Sequence, residues 1–450
     1  MSVKKRHSDA DGDTSTDLRF RKTPRAAVEP SGPLPRFQGS GADQTHGVHG
    51  SPLQRMRMRM RQAFTPSQPV FNPSMFAGRN EVLTALIRAI EDQRLHVVTY
   101  GERGIGKTSL MHILSRLARE ARYVVRYASC GEETEFSDMF RAIVRDIPLL
   151  YHADFAPTSD ASEEGRSLAD LLPEGTFNVP QLTDVLAKIS GTHVLLILDE
   201  FDRAHSPAFR RSIAELIKNL SDRSARVQLV IAGVAGNLTE LIEHIPSIRR
   251  NIMGLQVPNM TQGEIEQLVH NAETVCGMKF TDEEIGFINL VSYGSPYIAN
   301  LIGQHAGLNA IDRGDTVVAV KDIILAVHQA VEEIRHRVTA KSVHFVTEAE
   351  TFVPSDTLGL LARSALYNGG RLDIARLEGL LRDLGGSEAF LRNLSEKTGL
   401  VGPIPYDPAG AYSFNEEGVP VYLWMRQMAR WLDSASPNLQ SLQRSISQCD

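Results

Sequence analysis

Two hydrophobic periods alternate along the first half of the chain. Short apolar runs predict buried strands, and stretches with an apolar residue every three or four positions predict amphipathic helices. The strands cover 95–100, 123–127, 193–198 and 226–232; the helices cover 81–90, 110–117, 136–147, 181–190 and 207–220; a polar insertion or loop covers 148–180. Strands alternating with helices predict an α/β fold, a parallel sheet with helices on both faces, within a core at 73–258.

Beyond residue 258 only the helical spacing remains. Thr261-Gln-Gly-Glu264 and Thr281-Asp-Glu-Glu284 both fit the capping box that starts a helix. Helical periodicity continues over 294–310 and 319–336. Residues 259–338 are therefore predicted to form a small helical lid.

A third pattern occupies residues 339–435. Three predicted helices precede a hairpin and one follows it, at 356–367, 373–384, 387–397 and 418–432. The hairpin covers 400–414 and turns at Asp407-Pro-Ala-Gly410. Three helices followed by a β-ribbon are the outline of a winged helix, so we expect a winged-helix-like domain here and a tail at 436–450.

Residues 1–72 have no sustained apolar period and are rich in Pro, Gly, Ser and charge. Such a segment buries too little apolar surface to offset its ordering entropy, so we expect a disordered arm. Within it, Arg55-Met-Arg-Met-Arg-Met-Arg61 alternates strictly. The alternation indicates either a contact with a phosphate backbone or acidic partner, or, as we favour, a solvated tail.

The charge of the chain is uneven. The 450 residues carry a formal net charge of −6, but residues 1–72 hold 12 Lys and Arg against 6 Asp and Glu, so the arm is basic and the remainder acidic. No apolar run approaches the length that spans a bilayer, and the amino terminus has no secretory pattern. Cys130, Cys276 and Cys449 are scattered rather than spaced as metal ligands, which favours a reducing, cytoplasmic setting.

Gly101-Glu-Arg-Gly-Ile-Gly-Lys-Thr108 fits the phosphate-loop pattern and lies between a predicted strand and a predicted helix. Its glycines allow backbone N–H groups to surround phosphates, and the helix amino terminus adds a positive dipole. Lys107 is expected to reach the β- and γ-phosphates of ATP, and Thr108 to bind Mg²⁺. The candidate nucleotide-binding residues are Gly101, Glu102, Arg103, Gly104, Ile105, Gly106, Lys107, Thr108 and Ser109.

A second motif supports the first. His193-Val-Leu-Leu-Ile-Leu-Asp-Glu200 is a predicted buried strand that ends in two carboxylates. Asp199 is placed to hold Mg²⁺ through water, and Glu200 to activate the attacking water. Together the two motifs predict an ATPase rather than a protein that only binds nucleotide.

These motifs resemble those of AAA+ ATPases of the origin-recognition-like and STAND-like branch, over about residues 75–330. Phe76-Ala-Gly-Arg79 is similar to the opening box of the family, which implies that its backbone, including Arg79, lies near adenine. Leu198-Asp-Glu-Phe-Asp202 resembles the Walker B motif. Ser247-Ile-Arg-Arg250 resembles the arginine-bearing segment, so Arg250 is either an arginine finger for a neighbouring subunit or a helix-terminal residue that pairs locally.

The sequence departs from this family at two sensor positions. Only Asn237 could serve as the polar sensor after the fourth strand, and Tyr297 stands where a lid arginine is usual. Gly294-Ser-Pro-Tyr297 instead resembles the Gly-x-Pro lid motif of STAND-type ATPases, which implies that Pro296 contacts adenine. A missing charged sensor favours a slow switch over a motor.

Three functions remain open at this point. The first is an ATP-hydrolysing switch that assembles as a homo-oligomer or docks protein partners. The second is a DNA-associated ATPase, a loader or transposition helper, that uses the basic arm and winged helix. The third is a nucleotide-responsive scaffold of a defence or signalling complex. Residues 340–450 hold 10 Lys and Arg against 13 Asp and Glu, which disfavours DNA binding by the last domain and favours an intramolecular or protein-docking role.

Overall fold

A five-stranded parallel sheet organises the core in the computed structural model, which describes residues 52–434 except 157, 161–163, 236–237, 239–247, 405–406 and 408. The strands are β1 (His96–Gly101), β2 (Val124–Ser129), β3 (Val194–Asp199), β4 (Val227–Val234) and β5 (Ile252–Gln256). Their order is β2-β3-β4-β1-β5, and every pairing is parallel. The predicted α/β class is confirmed.

Neighbouring strand residues point to opposite sides of the sheet, and in its central strands the residues on both sides are apolar, so helices cover both faces. They are α2 (Asn80–Glu91), α3 (Lys107–Glu120), α4 (Phe136–Arg145), α5 (Val179–Leu186) and α6 (Pro207–Asp222). Val97 packs with α2 and α3 in one apolar cluster, and Val98 packs with α4, α5 and α6 in the other. The same alternation holds for Leu195 and Leu196 on β3. The insertion at 148–180 contributes two short 3₁₀ turns, Leu149–Tyr151 and Leu168–Leu171.

Four helices follow the core: α7 (Gln262–Cys276), α8 (Asp282–Ser292), α9 (Pro296–Asp312) and α10 (Val320–Arg335). Both predicted capping boxes are present, with Thr261 before α7 and Thr281 before α8. The helices share one apolar core, which includes Ile265, Phe287 and Ile302. Among the described residues, no helix is long and apolar enough to cross a membrane.

The prediction of disorder for residues 1–72 is wrong over 52–72; residues 1–51 lie outside the described part of the chain. Helix α1 (Pro52–Ala63) packs against α7 and α9. Met60 and Phe64 are fully buried, and the glycines at 303 and 307 of α9 leave the space that they fill. The Arg–Met alternation hid this helix, since its apolar residues lie four apart and gain stability only from the lid they contact.

The last domain consists of helices around a small antiparallel sheet. Its helices are α11 (Ala340–Ala349), α12 (Ser355–Tyr367), α13 (Ile374–Leu381), α14 (Ser387–Thr398) and α15 (Gly418–Ser434), and its strands are β6 (Arg371–Leu372), β7 (Val401–Pro403) and β8 (Tyr412–Phe414). The sheet order is β6-β8-β7. Trp424 of α15 is fully buried, and its indole N–H donates to the Val291 carbonyl of α8 at 2.9 Å. This hydrogen bond joins the domain to the lid.

Candidate nucleotide-binding site

The loop between β1 and α3 depends on glycine. Gly101, Gly104 and Gly106 have φ angles of 153°, 78° and 95°, and Gly106 is the N-cap of α3. A Cβ on Gly101 would lie 2.9 Å from the Val257 carbonyl oxygen. Side chains at these positions would strain the backbone, so the loop keeps this shape only with glycine at all three positions. It ends at a helix amino terminus, where unpaired N–H groups and the helix dipole favour an anion.

Lys107 folds back onto this loop. Its Nζ donates to the carbonyl oxygens of Gly101 at 2.8 Å and Glu102 at 2.6 Å. Burial lowers the pKa of this ammonium to about 8, and the nearby carboxylates of Asp202 and Asp199 oppose the shift. The Lys107 ammonium therefore interacts electrostatically with the carboxylates at and after the end of β3, although Lys107 itself lies in the connection that follows β1.

Those carboxylates lie at the same edge of the sheet as the loop. Strand β4 separates β1 from β3, and its Val234 pairs with Gly101. Asp199 ends β3 and is 3% exposed. Its Oδ2 accepts a hydrogen bond from the Tyr127 hydroxyl, and its Oδ1 accepts one from the Glu200 N–H at 2.8 Å. Two protein donors thus fix the orientation of the Asp199 carboxylate.

Glu200 follows in a left-handed backbone conformation, with φ 54° and ψ 36°. Non-glycine residues seldom adopt this region, and such strain concentrates at functional sites. The Glu200 carboxylate pairs with the Arg203 guanidinium at 2.9 Å and is about half exposed. Asp202, two residues on, accepts the Val234 N–H at 2.8 Å and so ties this turn to the end of β4.

The donor atoms at this edge suit Mg²⁺. Thr108 lies in the first turn of α3 and offers a hydroxyl, and Asp199 offers a buried carboxylate. Oxygen donors of this kind, with one or two carboxylates completed by phosphates and water, are the usual Mg²⁺ ligands. Among the described residues, no three His, Cys, Asp or Glu side chains cluster as a metal site by themselves.

Arg79 ties the opening box to the loop and the lid. Its side chain is buried and donates to the Ile105 carbonyl at 2.9 Å and to the Pro258 carbonyl. Its backbone N–H donates to Glu264 Oε1 at 2.5 Å. Burial lowers the Arg79 pKa to about 10, opposed by the Glu264 carboxylate. The residue expected near adenine therefore lies against the phosphate loop.

The lid also reaches the loop. Pro296 is the first residue of α9, and its Cγ lies 3.8 Å from the position that a Cβ on Gly106 would take. Tyr297 Cβ is similarly 3.3 Å from a Cβ position on Gly104. No sequence pattern singles out Arg337, whose guanidinium lies 5.4 Å from the centre of the Tyr297 ring. An arginine of the lid therefore stacks on the residue that stands in the expected sensor position.

The last domain contacts the loop as well, which sequence reasoning missed. Burial raises the Glu102 pKa to about 7, while the Gly370 N–H and Lys107 oppose the shift. Arg103 lies 3.8 Å from the Glu417 carboxylate. Glu102 also borders a cavity of about 560 Å³ lined by the loop, the segment before α7, α8 and the end of α12. The acidic pair Glu416-Glu417 is the sequence feature that could have indicated a contact with the basic loop.

The structure does not bring Arg250 to this site. Arg250 is exposed and precedes β5, and the Asn251 carbonyl accepts the His96 N–H at the amino end of β1. A six-residue strand, about 17 Å long, therefore separates Arg250 from the loop of its own chain. Asn237 lies outside the described residues.

The strand order, the glycine loop and the paired carboxylates are those of the P-loop NTPase fold. Residues 75–231 match the protein family described as AAA ATPase domain, and this segment is therefore an AAA ATPase domain. The predicted resemblance to AAA+ ATPases is confirmed for it.

Sequence comparison adds one curated relative, the ORC1-type DNA replication protein of Thermoplasma volcanium. The two are 26% identical over 275 residues, which are 59% of this chain and 59% of the relative. The chain thus matches about three fifths of the length of that protein.

Three of the solved structures that resemble this chain illustrate how remote the likeness is. The ORC2 protein of Aeropyrum pernix has 15% identity and a TM-score of 0.45 over 83% of this chain and 99% of its own. Cdc6p of Pyrobaculum aerophilum has 16% identity and a TM-score of 0.44 over 82% and 98%. A Walker-type ATPase of Pyrococcus abyssi has 13% identity and a TM-score of 0.47 over 80% and 99%. The family assignment rests on the sequence match.

Proposed function

We propose that this chain is an ATP-hydrolysing molecular switch. One observation carries the proposal: the phosphate loop is the place where core, lid and last domain meet. Pro296 and Tyr297 approach the loop from the lid, and Gly370 and Glu417 approach it from the last domain. A nucleotide bound at this loop would therefore act on both neighbours at once.

The residues divide the chemistry between them. The loop amides and Lys107 bind the phosphates, and Thr108 and Asp199 would hold Mg²⁺, which would neutralise phosphate charge. Glu200 orients the attacking water and accepts its proton. Since Glu200 is paired with Arg203, that ion pair must open before Glu200 can act, which favours slow turnover. In a homo-oligomer, Arg250 of a neighbouring subunit supplies a further positive charge at the γ-phosphate.

The last domain transmits the change. The element order of residues 355–414, with helices α12 to α14 around the strands β6, β7 and β8, supports a winged-helix fold. Its docking on α8 through Trp424 and on the segment before α7 through Asn259, whose Nδ2 donates to the Leu366 carbonyl at 3.2 Å, favours an intramolecular role. Phosphates bound next to Glu102 and Glu417 would repel both carboxylates, so nucleotide binding is expected to loosen this domain.

ATP hydrolysis by the full chain tests the switch. Lys107→Ala is expected to abolish turnover with loss of nucleotide binding, and Glu200→Gln to abolish turnover while binding remains. Lys218→Ala and Glu215→Gln, which change the same residue types on the exposed side of α6, are the matched controls. Equal turnover in the wild type, Lys107→Ala and Glu200→Gln would refute the proposal. Nucleotide-dependent assembly without turnover would favour a scaffold.

A DNA-associated ATPase is the second candidate. The observation that favours it is the exposed side of α1, which presents Arg59 and Arg61 while Arg57 pairs with Asp312. The relative described as a DNA replication protein points the same way. Salt-dependent DNA binding that weakens in an Arg59→Gln/Arg61→Gln variant would support it. Absence of binding at low salt, with or without ATP, would refute it.

A further inference from the structure

The segment after α1 crosses from the lid to the core. Phe64 is anchored in the lid, where its carbonyl accepts a hydrogen bond from Gln304 at 2.6 Å, and the Thr65 N–H donates to Asn300 at 3.2 Å. Five residues later the Val70 N–H donates to Ser109 Oγ at 3.0 Å. We call residues 65–71 the strap. It joins helix α9, which begins at Pro296, to the first turn of α3, which follows the phosphate loop.

The strap ends in a stack of three rings. Phe71 lies on His112 of α3, with ring centroids 4.3 Å apart. His112 in turn stacks on Tyr127 of β2, at 4.7 Å and an interplanar angle of 12°. The Tyr127 hydroxyl donates to Asp199. The last contact of the strap is therefore connected, ring by ring, to the carboxylate proposed to hold Mg²⁺.

This contact controls how Asp199 is presented. The Glu200 N–H fixes one carboxylate oxygen through the rigid turn after β3, and Tyr127 fixes the other through a side chain. Only the second donor can move without unfolding the strand. Its ring is held in place by His112, and Phe71, which is 59% exposed, covers the other side of His112. The packing of Phe71 on His112 thus determines how firmly the Tyr127 ring is held.

We propose that Tyr127 is a positioning residue for Asp199 and that the strap regulates it, so that the seating of Phe71 and the binding of Mg²⁺ with nucleotide strengthen each other. The inference rests on the proposed function, since it assumes nucleotide at the loop. Coupling of this kind is reciprocal: whatever the strap adds to Mg²⁺ affinity, Mg²⁺ adds to the seating of the strap.

The test compares the affinity of the full chain for ADP with Mg²⁺ and with EDTA, by equilibrium titration of a fluorescent ADP analogue. Tyr127→Phe removes only the donor and is expected to reduce the Mg²⁺-dependent gain in affinity about tenfold, as loss of a hydrogen bond to a charged group does. Phe71→Ala is expected to reduce it about threefold, which is within the range for loss of one aromatic pair. In EDTA both variants are expected to bind like the wild type. Tyr123→Phe, which stacks on His193, is the matched control.

The reciprocal readout uses the unaltered chain. Hydrogen exchange of strap amides, Val70 in particular, is expected to slow with Mg²⁺ and ADP but not with ADP in EDTA. An unchanged Mg²⁺-dependent gain in both variants, an equal loss of affinity in EDTA, or strap exchange that ignores Mg²⁺ would each overturn the inference. If the wild type binds no nucleotide under either condition, the proposed function itself fails.

Discussion

Raising the pH is expected to weaken nucleotide binding through Lys107. The free ammonium has a pKa of about 8, lowered by burial, and only its protonated form attracts phosphate. Bound phosphates hold the proton on Lys107, so the dissociation constant should scale with the reciprocal of the fraction of free chain in which Lys107 is protonated. That factor is about 1.1 at pH 7 and about 11 at pH 9, which gives a tenfold loss of affinity, or about 1.4 kcal/mol.

Glu102 adds to this effect. Its pKa is raised by burial to about 7, so it gains negative charge beside the phosphates as the pH rises from 6 to 8. Both changes weaken binding as the pH rises, and they can be separated. Glu102→Gln is expected to keep the tenfold loss between pH 7 and pH 9. Lys107→Arg, which stays cationic over this range, is expected to lose most of it.

The assay is a fluorescence titration of an ADP analogue in EDTA, at constant ionic strength, from pH 7 to pH 9. Over this range the terminal phosphate of ADP is mostly ionised, and its remaining ionisation adds negative charge, which favours binding and so acts against the expected loss. An affinity that is constant or rises with pH in the wild type would refute the reasoning. The reasoning would also be refuted if the Lys107→Arg variant bound the ADP analogue with an affinity that depends on pH as strongly as that of the wild type.

Two further predictions follow from packing and from the contact of the last domain. Phe64→Ala is expected to destabilise the lid by about 3–5 kcal/mol, because the ring is fully buried against α9; urea unfolding followed by far-UV circular dichroism measures this, and a shift no larger than that of the part-exposed control Phe352→Ala would contradict it. Glu417→Gln is expected to raise ADP affinity by up to about fivefold, since it removes an exposed negative charge near Arg103 and Lys107. The exposed Glu396→Gln is the control, and equal affinities in both variants would contradict that expectation.

The sequence predicted the central strands and both nucleotide motifs because their signals are local. A buried strand such as β3 is a continuous apolar run, every residue of which is buried. The phosphate loop is likewise recognisable from a local pattern, because its left-handed backbone angles require glycine at fixed positions. Capping boxes before α7 and α8 were visible for the same reason.

The missed features depend on residues distant in sequence. Strand β5 is an edge strand with a glycine and only one buried residue, Ile252, so its pattern is weak. Helix α1 has too few apolar residues to be stable until it meets α9. The contacts of Glu102 with Gly370 and of Tyr127 with Asp199 join positions more than 70 residues apart, and no local pattern encodes them.

The central claim is that the loop at 101–108 binds ATP and that binding acts on the last domain. Equilibrium titration of ATP with Mg²⁺, combined with hydrogen exchange of residues 366–370, tests both parts in one preparation. We expect one ATP per chain in the wild type, faster exchange at 366–370 on binding, and loss of both in Lys107→Ala. Equal ATP binding by the wild type and Lys107→Ala, or ATP binding without any change at 366–370, would contradict the account.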